Sequence, residues 1–67
     1  MTAHAIVPWL ALRDARLAAG LTLHGLAVLL GAREMTVWRW ESGMHRPRPE
    51  TLQRIRDVLG DVPAPES

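Results

Sequence analysis

Residues 22–43 read TLHGLAVLLGAREMTVWRWESG, and this stretch decides the fold. Thr22 is a favourable helix N-cap, and the apolar residues that follow it at spacings of three and four predict a helix with one buried stripe, which Gly31 ends. A further helical pattern begins near Arg33 and continues to Glu41. Because a single residue separates the two patterns, the two predicted helices must cross steeply.

The later helix of this pair carries two tryptophans, Trp38 and Trp40. Residues two apart on an α-helix point about 200° away from each other, so these two indoles cannot share a face. A helical projection puts Trp40 on one side together with Val37 and Glu41. We therefore predict that Trp40 faces the core and that Trp38 lies on the flank of the outward face. The residues predicted to lie opposite the core are Met35, Arg39 and Ser42.

Glu41 lies on the side of this helix that faces the core. A carboxylate removed from water without a partner loses much of its solvation free energy, so a cation must meet it. Arg16 is the natural partner, because it lies on the inward stripe of an earlier helical pattern that begins at Trp9. No nucleophile or second acid lies nearby in the pattern, and a structural ion pair is therefore favoured over a catalytic role.

Two more helical patterns flank this pair. One begins at Trp9 and ends at Gly20, and the other opens at Pro49 and ends at Gly60. The stretch between Gly43 and Pro49 is irregular. We accordingly expect an all-α chain with an N-terminal segment at residues 1–8, one four-helix domain at 9–60 and a flexible acidic tail at 61–67.

The composition sets limits on the class of protein. The chain has 67 residues, a net charge of +1 and no cysteine, so it has no disulfide framework or thiolate metal site. Residues 1–49 hold six arginines against three acidic residues, whereas residues 50–67 hold two against four, so the first part suits a polyanion better. No apolar run approaches the roughly 20 residues that span a bilayer. We expect a soluble, cytoplasmic protein without membrane, metal or cofactor.

The segment from Leu12 to Leu59 resembles a helix-turn-helix domain of the Cro and phage-repressor type, the XRE family. The resemblance rests on GLT, LA..LG, TVWRWESG and RPRPETL, which occur in the usual order and spacing. It implies a lambda-repressor-like fold and a DNA-binding transcriptional regulator whose third helix enters the major groove, as a homodimer on a palindromic operator. It also implies the ion pair of Arg16 with Glu41. We expect a small repressor of the phage or plasmid type that regulates its own operon.

The resemblance assigns base contacts to the third helix. Arg39 can bond O6 and N7 of guanine, Glu34 can accept from the N4 amine of cytosine, and Met35 can press against a thymine methyl, with Thr36 beside them. His45, Arg46 and Arg48 form a basic loop that suits phosphate. The full set expected to contact phosphate is Thr22, Arg33, Trp38, Ser42, His45, Arg46 and Arg48.

Some features leave alternatives open. Trp38 can either donate its indole N–H to a phosphate or cover the seam with the second helix beside Gly25. Arg33 stands where the family commonly has a serine-like cap. The fifth helix by which many relatives dimerise is absent, which leaves the dimer interface open. Its candidates, which can equally be incompletely buried core residues, are Val28, Leu29, Val58 and Val62.

The sequence also bears on two other classes of function, an enzyme and a protein-interaction module. An enzyme is disfavoured because His4, His24 and His45 are scattered and because no glycine-rich phosphate loop occurs. A chain this short also shows no room for an inducer pocket, so no small-molecule ligand is expected. The stronger alternative is an antitoxin or another helical protein-interaction module, which would use exposed leucines and tryptophans.

Overall fold

The computed structural model describes residues 7–65, and this part of the chain is helical without any β-strand. The all-α, four-helix prediction is therefore confirmed, with no fifth helix in this range. Residues 1–6 of the predicted N-terminal segment, including His4, and residues 66–67 of the predicted tail lie outside the described residues. The helices are α1 (Leu10–Ala18), α2 (Leu23–Leu30), α3 (Glu34–Ser42) and α4 (Pro49–Leu59).

The ends of the helices follow local sequence signals. The hydroxyl of Thr22 accepts a 2.9 Å hydrogen bond from the backbone N–H of Gly25 and so caps α2. Gly31 and Gly43 end α2 and α3 with φ angles of 66° and 83°, a left-handed conformation that a side chain would strain. Trp9 is the N-cap of α1, so Pro8 precedes that helix rather than forming its first turn.

The core lies where α1 and α4 pack against the pair formed by α2 and α3. Helix α2 packs against α3 and α4, and α3 packs against α1. Because each helix contributes one apolar stripe, a thin core forms between them. The buried apolar residues are Trp9, Leu12, Leu26, Ala27, Leu30, Val37, Trp40, Ile55 and Val62.

The segment after α4 packs back onto the start of α1. The indole N–H of Trp9 donates a 2.8 Å hydrogen bond to the carbonyl of Pro63, and Nε of Arg56 donates to the carbonyl of Val62. Val62 itself is buried, with 2% of its surface exposed. The prediction that Val62 could belong to an exposed dimer interface is therefore wrong, because its side chain is part of the core that also includes Trp9. A buried indole N–H needs an acceptor, and this segment supplies it.

Candidate nucleic-acid interface

Helix α3 buries one face and exposes the other. Val37, Trp40 and Glu41 are buried at 0%, 7% and 8% exposure. On the opposite side Met35 and Arg39 are exposed, Met35 to 55%. The orientation predicted for this helix is therefore correct for its buried face and for Met35 and Arg39, whereas Ser42 is half-buried.

An ion pair fixes α3 to α1. Nε of Arg16 donates to Oε2 of Glu41 at 2.6 Å, and Nη2 of Arg16 donates to Oε1 of Glu41 at 3.1 Å. The remaining terminal nitrogen donates to the carbonyl of Leu21 at 2.9 Å. Hydrogen bonding to Glu41 raises the pKa of Arg16 above its ordinary value, against the opposing effect of burial. The guanidinium consequently stays charged, and the two residues act as one structural unit.

A backbone bond adds to this attachment. The backbone N–H of Trp9, at the start of α1, donates a 2.9 Å hydrogen bond to the carbonyl of Glu41 near the end of α3. Such carbonyls have no partner within their own helix, so a donor from outside stabilises the helix end. The side chain and the backbone of Glu41 thus both connect α3 to the N-terminal part of the domain.

Two of the residues expected at phosphates lie at the starts of α2 and α3. Thr22 is exposed at the start of α2, and its hydroxyl still has an O–H to donate after accepting from Gly25. Arg33 is the N-cap of α3, and its side chain makes no capping bond. Its charge is therefore available beside the helix start.

The loop after α3 folds back against that helix. The carbonyl of Arg39 accepts from the hydroxyl of Ser42 at 3.2 Å and from the backbone N–H groups of Met44 at 2.9 Å and His45 at 3.3 Å. These bonds hold the loop next to the C-terminal end of α3. The exposed basic side chains of this loop are His45, Arg46 and Arg48.

Trp38 covers a cleft between α2 and α3. It is 44% exposed and lines this cleft with Leu23, Glu34 and Met35. The residue of α2 that lines this cleft is Leu23, and no atom of Trp38 lies within 4 Å of a Cβ placed on Gly25. What crowds Gly25 is its own N-cap region: a Cβ there would lie 3.2 Å from Oγ1 of Thr22 and 3.6 Å from Leu21.

Two polar residues near this cleft had no role in the sequence prediction. Nδ1 of His24 lies 3.8 Å from Oε1 of Glu34, and both side chains are largely exposed. Arg13 is exposed and lines a groove together with Trp38 and Ser42. Its position one turn before Arg16 on α1 is the sequence signal that could have identified it.

The remaining predicted base contact, Thr36, is half-buried on the other flank of α3.

Within residues 7–65 no cluster of three or more histidine, aspartate or glutamate side chains could hold a metal ion. None of the four helices in that range is both long and apolar enough to cross a bilayer.

The sequence profile of one protein family, described as a helix-turn-helix domain, matches residues 10–65. The match begins at the first residue of α1 and includes all four helices. No curated protein matches the chain. The helix-turn-helix assignment made from the sequence is thus confirmed at the level of the family.

Proposed function

The chain belongs to the helix-turn-helix domain family, and from this premise we propose that it is a transcriptional regulator that binds double-stranded DNA at a specific sequence. The observation that carries the proposal is the outward face of α3. Arg39 and Met35 are exposed there, while Val37 and Trp40 anchor the helix from behind. An α-helix held in this way fits the major groove, where each base pair has its own pattern of donors and acceptors.

Four side chains of α3 are proposed to contact bases. Arg39 supplies a planar fork of donors for guanine, Glu34 accepts from the exocyclic amine of cytosine, and Met35 contacts the 5-methyl group of a pyrimidine. Thr36 lies on the far flank and contacts a neighbouring base.

The charges around α3 are proposed to contact phosphates. Thr22 and Arg33 lie at the starts of α2 and α3, and the loop after α3 brings further cations to its other end. Such contacts set the register of the protein on the duplex without reading sequence. We add Arg13 to this set because it shares a groove with Trp38 and Ser42. The complete proposed set is Arg13, Thr22, Arg33, Trp38, Ser42, His45, Arg46 and Arg48.

We further propose that the protein binds as a homodimer through a surface that α2 and α4 form together. Val28, Leu29 and Val58 are exposed there to 63%, 56% and 39%. Arg54 and Asp57 line the same depression. In the proposed dimer the two-fold axis passes between Arg54 and Asp57, which sets Arg54 of one copy against Asp57 of the other and makes the surface complementary in charge as well as in apolar character.

The proposed biological role is repression of a palindromic operator, with occupancy set by the concentration of the protein. Autoregulation in a phage or plasmid setting is the simplest arrangement of this kind. Footprinting on the DNA upstream of its own gene tests it: protection of a palindrome that overlaps the promoter is expected. Protection elsewhere only, or a small molecule that alters operator affinity, would contradict the proposal.

The alternative function is an antitoxin or another protein-interaction module. The observation in its favour is the number of exposed apolar side chains, among them Leu10, Leu29 and Trp38. Titration with duplex DNA at several salt concentrations separates the two functions. Contacts to phosphate predict an affinity that falls with salt on a logarithmic slope of about 0.9 per phosphate. An interaction module that does not use DNA would show no binding to the duplex, whereas an antitoxin that also binds DNA would show both activities.

A further inference from the structure

The cleft between α2 and α3 combines two chemistries that one particular base requires together. Three of its four lining side chains, Leu23, Met35 and Trp38, are apolar, and the fourth is Glu34. Glu34 opens α3 and its side chain is 58% exposed. The cleft is therefore an apolar recess with a hydrogen-bond acceptor at its rim.

We propose that this cleft binds a cytosine that carries a 5-methyl group, an inference that rests on the proposed DNA-binding function. In the major groove the C5 position of a pyrimidine lies next to the exocyclic group on C4. Cytosine presents an N4 amine there, which donates, and thymine presents O4, which accepts. A methyl group in the recess thus brings the neighbouring C4 substituent to the rim, where Glu34 accepts from an amine and repels a carbonyl oxygen.

The other bases fit this cleft less well. Thymine satisfies the apolar wall but sets O4 against the carboxylate. Unmethylated cytosine satisfies Glu34 but leaves Met35 and Trp38 facing water. Adenine offers an N6 amine beside N7 and has no methyl group in the major groove. Only 5-methylcytosine matches the wall and the rim at once.

His24 lies beside Glu34 on the neighbouring helix. Its Nδ1 is 3.8 Å from Oε1 of Glu34, and both side chains are largely exposed.

Parallel selection provides the experiment. The full chain is used to enrich duplexes from two random libraries, one synthesised with deoxycytidine and the other with 5-methyldeoxycytidine. The enriched sequence is then rebuilt with cytosine, 5-methylcytosine, thymine or uracil at each pyrimidine in turn, and the Kd is measured. At one position per half-site, 5-methylcytosine should bind about fourfold more tightly than cytosine, the effect of burying one methyl-sized group. At the same position thymine should bind more weakly than 5-methylcytosine.

Three variants and one control test the residues of the cleft, with folding verified by circular dichroism. Met35→Ala should remove the preference for the methylated base, whereas Met44→Ala, which alters an exposed methionine outside the cleft, should keep it. Glu34→Gln should make thymine and 5-methylcytosine equivalent, because an amide can donate to O4 as well as accept from N4. Glu34→Asp should not preserve the preference for 5-methylcytosine over thymine, since the shorter side chain withdraws the acceptor.

The outcomes separate this inference from the function it rests on. Sequence-specific binding that is indifferent to 5-methylation at every position would overturn the inference and leave the proposed function intact. A preference for thymine over 5-methylcytosine in the wild-type protein would overturn it as well. Failure to enrich any duplex from either library would overturn both.

Discussion

Arg16 and Glu41 are 25 positions apart in the chain, and two hydrogen bonds of 2.6 and 3.1 Å join their side chains on the side of α3 opposite its outward face. Both residues are buried, at 9% and 8% exposure. A charge in such a place is tolerated only because its partner is there. The orientation of α3, and with it the position of every proposed base contact, therefore depends on a pair of residues that lie away from its outward face.

Breaking this pair from one side should nearly unfold the domain. Arg16→Met or Glu41→Leu leaves an uncompensated buried charge, which costs about 3 to 5 kcal/mol. A small domain has little more than that in total. The double variant should lose much less free energy of unfolding than the sum of the two single losses, because no buried charge remains. Urea denaturation followed by circular dichroism measures all three free energies of unfolding. Arg13→Met, at an exposed arginine of the same helix, is the control, and additive losses in the double variant would contradict this account.

The segment after α4 should contribute to stability. Val62 is 2% exposed, so Val62→Ala should lower the free energy of unfolding by about 1.5 kcal/mol, the effect of removing two buried methyl-sized groups. A flexible tail would give a change within about 0.5 kcal/mol. Leu17→Ala, at a leucine that is 53% exposed, is the control. Equal urea midpoints for Val62→Ala and the wild type would show that residues 61–65 do not pack in solution.

Which face of α3 is buried could be predicted from sequence, because the periodicity of that helix alone decides it. The 100° periodicity is sufficient to separate Trp40 from Trp38, and local signals such as Thr22 and Gly31 set the ends of α2. The burial of Val62 could not be predicted in this way. It depends on a contact between Trp9 and Pro63, which are 54 positions apart in the chain. Two prolines and two acidic residues in the same segment point locally to an irregular end.

The surroundings of the proposed base contacts were also beyond local reasoning. The helical projection places Trp38 on a flank, but only the crossing of α2 and α3 decides that its neighbour there is Leu23 rather than Gly25. The approach of His24 to Glu34 and the groove that includes Arg13 arise from the same crossing and from the packing of α1. Residues that meet through the packing of two helices leave no periodic signal in either one.

Arg39 and Arg46 should affect DNA binding in different ways. Arg39→Ala should remove discrimination at one base pair per half-site, a loss of about tenfold to a hundredfold on the preferred sequence and little on random DNA. Arg46→Ala should weaken binding to all sequences alike and reduce the salt slope by about 0.9, and Arg13→Ala should do the same. Fluorescence anisotropy with specific and random duplexes at several salt concentrations measures both effects. Equal losses on the two duplexes for Arg39→Ala would exclude it as a base-reading residue.

The proposed α2–α4 surface predicts a specific pattern of self-association. Leu29→Glu introduces a charge into the exposed apolar patch and should weaken dimerisation at least tenfold, since each copy would bury that charge against the other. Leu17→Glu makes the same change at a leucine of similar exposure on α1, outside the patch, and should leave dimerisation unchanged. Sedimentation equilibrium measures the dissociation constants.

Reversing the charges of the same surface tests its geometry. Arg54→Glu and Asp57→Arg should each weaken the dimer, because each sets like charges against one another across the two-fold axis. The double variant restores opposite charges and should recover most of the affinity between copies. Because Nη1 of Arg54 also donates to the carbonyl of Leu30 at 3.3 Å, recovery in the double variant distinguishes a contact between copies from simple loss of that bond. A dimer that tolerates both single reversals would place the interface elsewhere on the domain.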